Sequence, residues 1–358
     1  MVAAAIDVPR GRVTMAGAVV THTALANLPA RSTSPGDPTG AAAPEPAVLV
    51  RDGGKQFDGT WVVRGLDITV ERGVIYGLFG PSGSGKTTIL RLLLGVLEAD
   101  EGEVRVLGVN SRRFGRRARA RIGYMPQQVV LYPELTVWQN LHMVASLYGL
   151  RWPGRRRAMR GVLDLVELWE DRAKRVTALS GGMKRRLQLA AALVHDPELI
   201  VIDEPTAGVD PVLRAKFWDR FRELRDAGRT LVVTSEYVTE AEYCDRIGVL
   251  GDGRIVASGA PEEVRARAMG GEIVDVAANG LNERLVRALR QLPPVRDVRP
   301  VAFDTLRLTV DEAADAIPAI LALFGELGLG TPRVEQSRPN FDEIFVRLME
   351  QHRAGSDI

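Results

Sequence analysis

Three short stretches carry residues whose types and spacing suit phosphate chemistry. Gly80-Pro81-Ser82-Gly83-Ser84-Gly85-Lys86-Thr87 reads G-x-x-x-x-G-K-T, and Thr88 opens the run that follows. The glycines let the backbone turn so tightly that its amides point at phosphate oxygens. Lys86 is spaced to reach β- and γ-phosphates, and the Thr87 hydroxyl to ligate Mg²⁺. Downstream, the apolar run Leu199-Ile200-Val201-Ile202 ends in Asp203-Glu204. Adjacent carboxylates at the end of a buried strand are costly unless they meet a metal or donors. Asp203 fits the metal partner, and Glu204 fits a group that polarises an attacking water. Between these stretches, Ser180-Gly181-Gly182 opens a helix. Ser180 can cap it, and the exposed amides form a second anion site.

Positioning these groups requires an α/β scaffold. Val74 to Phe79 reads as a buried strand feeding the phosphate loop, and 88–94 reads as a helix leaving it. Leu231-Val232-Val233-Thr234 is another buried strand, leading into Ser235-Glu236. Arg246 to Ala257 reads as a hairpin about Gly251-Asp252-Gly253. At the start, Val48–Val50 and Trp61–Val63 look like strands, and Leu66, Ile68 and Val70 alternate with polar residues. Phe57 lies between them and could stack on a base or fill a turn. Residues 130–175 carry helical stripes, Val137, Leu141, Val144 and Leu147 in one and Val162, Leu165, Val166 and Trp169 in another. They read as a helical insert. From about 272 the order changes to βαββαβ, which suggests a small ferredoxin-like domain. A last helix carries Phe341, Ile344, Phe345, Leu348 and Met349 on one stripe, with Asn340 and Glu343 as its cap.

Length and composition bound the rest. The 358 residues, 46% hydrophobic and 26% charged, suit a globular protein of two domains and a tail. The net charge of +2 makes no bulk case for nucleic acid. The arginines between Arg112 and Arg121 are interleaved with a single aromatic, Phe114, and read as a solvated face. Cys244 is the only cysteine, so no intrachain disulfide forms. No run approaches the roughly 18 uncharged apolar residues that a spanning helix needs. Val13 to Leu28 lacks a convincing cleavage site and is not read as a signal peptide. Residues 1–46, rich in Ala, Pro, Thr, Ser and Gly, are expected to be a disordered extension.

The ordered set of motifs strongly resembles the ATP-binding subunit of an ABC transporter, over about 47–265. Gly80 to Thr87 matches the Walker A loop, Gln127 the Q-loop glutamine, and Leu179 to Met183 the signature. Asp203 and Glu204 match the Walker B aspartate and catalytic glutamate. Asp210 ends a D-loop match, and Phe57 sits where the family keeps an adenine-stacking aromatic. The tail, with Pro339 to Phe345, resembles the C-terminal extension of ABC-2 type exporter ATPases, including drug and antibiotic efflux systems. The resemblance implies a P-loop NTPase cassette at 47–270 and a ferredoxin-like domain at 271–358. It implies ATP and Mg²⁺ as ligands, with Thr87, Asp203 and Gln127 around the metal. Two cassettes would pair head to tail, ATP lying between Walker A of one and Ser180-Gly181-Gly182 of the other. A separate transmembrane permease would bind the insert at the cytoplasmic face of the membrane, and no nucleic-acid partner is implied.

One position departs from the family pattern. Where a switch histidine is usual, Glu236 stands. Two like charges about 4 Å apart repel by on the order of 4 kcal/mol at an effective dielectric near 20. Glu236 must therefore be protonated, point away from the site, or weaken hydrolysis. Two other functions fit less of the chain. A soluble ABC ATPase acting on ribosomes or nucleic acid would bring tandem cassettes or coiled coils. A regulatory nucleotide-binding subunit is motivated by Glu236 alone.

Overall fold

The computed structural model describes residues 45–278 and 281–356. The expected disordered extension falls outside them up to residue 44.

The chain opens as a hairpin, β1 (Val48–Phe57) and β2 (Thr60–Val70). Its turn is Asp58-Gly59, both at positive φ, as a two-residue hairpin turn requires. Each strand runs on where the sequence suggested short separate pieces. β3 (Ile75–Phe79) leads through the phosphate loop into α1 (Lys86–Leu93). There follow β4 (Glu101–Val106), β5 (Val109–Asn110), α2 (Arg116–Arg119) and β6 (Ile122–Met125). The insert supplies α3 (Val137–Leu147) and α4 (Gly154–Leu165). The cassette closes with α5 (Gly181–Leu193), β7 (Leu199–Asp203), α6 (Pro211–Asp226), β8 (Thr230–Ser235), β9 (Arg246–Gly251), β10 (Arg254–Gly259) and α7 (Pro261–Met269).

The main sheet has the order β10-β9-β3-β8-β7-β6, parallel from β9 to β6. Its central strands β3, β7 and β8 are buried at every position and mostly apolar, because both faces are covered. On β7, Leu199 and Val201 face the core beneath the antiparallel sheet β2-β1-β4-β5. Ile200 and Ile202 face the core built by the helices. The phosphate loop, Gln127, Asp203-Glu204 and Glu236 all follow carboxyl ends of these parallel strands, where open α/β sheets bind ligands. Arg116, Arg117 and Arg119 leave α2 with no buried residue, consistent with a solvated face. In the insert, Leu147 is 71% exposed and lies off the buried stripe assigned to it.

The small unit comprises β11 (Glu272–Ala277), α8 (Glu283–Arg290), β12 (Val295–Ala302), β13 (Thr305–Val310), α9 (Ala313–Glu326) and β14 (Arg333–Ser337). Its strands are antiparallel in the order β12-β13-β11-β14, with a separate core of Val274, Leu289, Leu308, Ile320 and Phe324. The final helix α10 (Phe341–Ser356) corrects the domain boundary read from the sequence. Phe341, Ile344 and Leu348 join the cassette's helical core, not the small unit's. An apolar stripe states that a helix is buried but not against what, and here it returns across α7 and β9–β10.

Candidate functional site

Lys86 leaves the first turn of α1 and points back into the loop that precedes it. Its Nζ donates to the carbonyls of Gly80 (2.9 Å) and Pro81 (3.1 Å). Gly85 caps the helix at φ 106°, where a Cβ would lie 2.5 Å from Val63 Cγ1. Only glycine meets both constraints. The loop and helix start border a cleft of about 200 Å³, lined by Val62, Ser82, Gly83, Gly85, Lys86, Thr87, Thr88, Gln127, Glu204 and Glu236.

Two strands bring acidic groups to this cleft, β7 with Asp203 and Glu204 and β8 with Glu236. Asp203 ends β7 at 2% exposure, and its Oδ2 accepts from Thr87 Oγ1 at 3.1 Å. These two hard oxygen donors, from a hydroxyl and a carboxylate, suit Mg²⁺. Thr234 of β8 donates its hydroxyl to Asp203 Oδ1 (2.7 Å) and accepts from Glu204 N (3.0 Å). Glu204 adopts φ 45°, a left-handed conformation that costs a non-glycine residue about 1–3 kcal/mol. Its carboxylate is bracketed: Gln127 Nε2 donates to Oε2 at 2.6 Å, and Lys86 Nζ lies 3.2 Å from Oε1. Glu236 Oε1 lies 3.7 Å from the same ammonium, so Glu236 points into the site and pairs with Lys86.

Gln127 therefore contacts Glu204 and lines the same cleft as Thr87. Of the adjacent glutamines, Gln127 lines the cleft. The Gln128 carbonyl accepts from Gln188 Nε2 at 2.7 Å. Gln188, on α5 and 4% exposed, also donates to Pro126 O at 2.8 Å. It ties the segment carrying Gln127 to the helix opened by Ser180. Thr234 and Gln188 were not singled out from sequence. Their partners lie 30 or more residues away, and no local pattern marks such pairings.

The remaining expected residues lie apart from the cleft. Ser180 caps α5 by accepting from Met183 N at 3.2 Å, with Gly181 and Gly182 beginning the helix. Asp210 caps α6 by accepting from Leu213 N at 3.0 Å. Phe57 sits at the end of β1, 42% exposed, with Lys55 Nζ 5.5 Å from its ring centroid. None of these lines the pocket around Lys86.

The family model described as ABC transporter matches residues 63–207. The linearmycin resistance ATP-binding protein LnrL of Bacillus subtilis is 32% identical, over 82% of this chain and 95% of that protein. The chain belongs to the ABC transporter ATP-binding family. A second family member, the Nod factor export ATP-binding protein I of Rhizobium etli, is 37% identical over 84% of this chain and 93% of that protein. The daunorubicin resistance ATP-binding protein DrrA3 of Streptomyces coeruleorubidus is 36% identical over 86% and 97%. Among solved structures, an ATP-binding subunit of an ABC transporter matches with TM-score 0.57 and 27% identity. It covers 62% of this chain and 92% of that one. The dimeric ABC cassette MJ0796 in a post-hydrolysis state with ADP and Pi matches at 0.55 and 26%, covering 60% and 98%. The P-loop NTPase cassette expected for this family is thus the fold observed. Among the described residues no helix is long and apolar enough to cross a membrane.

Proposed function

We propose that this chain binds ATP and couples its hydrolysis to export through a separate membrane-embedded permease of the ABC-2 type. The observation that carries the reading is the convergence of Lys86, Thr87, Asp203, Glu204 and Gln127 from separate elements on one cleft. The named relatives, in drug resistance and Nod factor export, favour an exporter over a ribosome- or nucleic-acid-directed ATPase.

In this reading the phosphate-loop amides and Lys86 hold the phosphates. Thr87 and Asp203 would hold Mg²⁺, which neutralises charge on the phosphates when bound. Glu204 accepts a proton from the attacking water, held in register by Gln127 and by its strained backbone. Phe57 stacks on the base. Ser180, Gly181, Gly182 and Asp210 lie away from the cleft, as they must if they complete the site of a second cassette. The exposed Val129, Val130, Tyr132 and Trp152 around the insert offer the permease an apolar contact at the cytoplasmic membrane face. The unit 272–337 is read as a ferredoxin-like accessory domain. Glu236 places a carboxylate where the γ-phosphate would lie, so turnover is slow relative to a histidine-bearing site.

The test is isolation of the assembled complex from membranes, with its chains identified and its ATPase measured. A polytopic partner is expected, with hydrolysis abolished by Glu204→Gln and accelerated by Glu236→His. Absence of a membrane partner, with hydrolysis intact in Glu204→Gln, would overturn the reading.

A further inference from the structure

The placement of Glu236 is built rather than incidental. β8 ends at Ser235, whose buried hydroxyl donates to Glu240 Oε2 at 2.6 Å and accepts from Tyr237 N at 3.0 Å. Glu240 is buried and lies 3.5 Å from Arg214 Nε. Arg214 in turn covers the Tyr237 ring, 4.2 Å from its centroid. The backbone is thus pinned immediately before and after residue 236, and the side chain between the pins enters the cleft. There it shares Lys86 with Glu204. One ammonium serves two carboxylates, and Asp203 adds a third beside Thr87.

We propose that Glu236 is a nucleotide-discriminating residue: it occupies Lys86 in place of the γ-phosphate and so selects against triphosphate relative to diphosphate. The inference rests on the proposed ATP-binding role of this cleft. Lys86 at the helix start reaches β- and γ-phosphates in such loops, while the backbone amides cradle the α- and β-phosphates, so the γ-phosphate depends most on Lys86. A diphosphate, held by the loop amides, can share Lys86 with Glu236 and places no further charge beside that carboxylate. A triphosphate must take Lys86 from Glu236 and then sit beside the displaced carboxylate. The Glu236 side chain is 44% exposed and can rotate toward water, which limits the penalty. One to two factors of ten in relative affinity is the size expected of such a partly screened contact.

The experiment uses the full chain without Mg²⁺, so that nothing turns over, and titrates ATP and ADP by calorimetry. The variants are Glu236→Gln, which keeps size and removes charge, and Glu236→Asp, which keeps charge on a shorter arm. Glu236→Gln should tighten ATP about ten- to a hundredfold and move ADP by less than about threefold. Raising the salt concentration should narrow the wild-type preference, because the contact is partly exposed. Glu236→Asp should keep a preference of the wild-type sign. Equal shifts for both nucleotides in Glu236→Gln, or no shift in either, would overturn the inference while leaving the ATP site standing. Wild type that binds neither nucleotide would overturn the site reading and the inference with it.

Discussion

Replacing Thr234 by Val tests the central claim that the carboxylates of β7 are held by the neighbouring strand. The change removes one hydroxyl and keeps the side-chain shape, at a position with no solvent exposure. Two bonds are lost, the donation to Asp203 Oδ1 at 2.7 Å and the acceptance from Glu204 N at 3.0 Å. They do not count equally. Glu204 N also donates to the Thr234 carbonyl at 3.2 Å, so the amide keeps a partner. Asp203 Oδ1 loses a donor in a site too buried for water to replace it readily. Hydrogen bonds to charged groups contribute about 1.5–3 kcal/mol, and the loss should fall in that range rather than at twice it. Urea unfolding of the full chain is the assay, with Thr234→Ser as the control that restores the hydroxyl. Val should cost about 2–3 kcal/mol and Ser under about 1 kcal/mol. The ATPase of the assembled complex should fall at least about tenfold in Val, because a misaligned near-attack geometry alone can cost that much. A Val variant as stable and as active as the Ser control would refute the assignment of Thr234 as the group that positions the Asp203 carboxylate and the Glu204 backbone.

Three further outcomes follow from the packing. Gly85→Ala forces a Cβ to within 2.5 Å of Val63 Cγ1 at φ 106°, and equilibrium titration should find nucleotide binding lost while the small unit stays folded. Ile344→Ala, on the terminal helix, should destabilise the cassette by about 2–5 kcal/mol in urea unfolding, since Ile344 is buried in the cassette core. No effect on the cassette transition would mean that α10 does not dock there. His195 stacks on Tyr148 at 3.6 Å, with Nε2 3.0 Å from Ile122 O, and burial lowers its pKa to about 4. The unfolded ring titrates near 6.5, so the unfolded state takes up the proton first as pH falls. This contribution is complete above about pH 6.5 and is lost between there and about pH 4, on the order of 3 kcal/mol in all. His195→Gln should flatten stability across that window, as read by urea midpoints at each pH.

What the sequence disclosed about this site, and what it withheld, divides along a physical line. β3, β7 and β8 were legible because parallel strands covered on both faces read as near-continuous apolar runs, and such runs are short and bounded. The phosphate loop was legible because its glycines and its lysine act locally, within eight consecutive residues. α10 was legible as a buried helix yet assigned to the wrong neighbour, because periodicity reports that a face is covered and is silent on the cover. Spacing alone admits two readings of Phe57 for the same reason, since an aromatic near a hairpin turn looks alike whether it meets a base or fills the turn, and only the family resemblance favours the base. Thr234 and Gln188 were missed altogether. Each is a polar residue inside an apolar run, and its role exists only once distant segments meet: Gln188 reaches Pro126 and Gln128, and Thr234 reaches Asp203. Glu236 joins both kinds. Its identity stood out from the motif, but its consequence came from a 3.7 Å approach to Lys86, 150 residues earlier in the chain. The groups that act on phosphate are therefore readable from local spacing, whereas the groups that aim them are set by sheet order, which places β8 between β3 and β7. A substitution that spares every motif can still disable the site if it falls on one of those aiming residues.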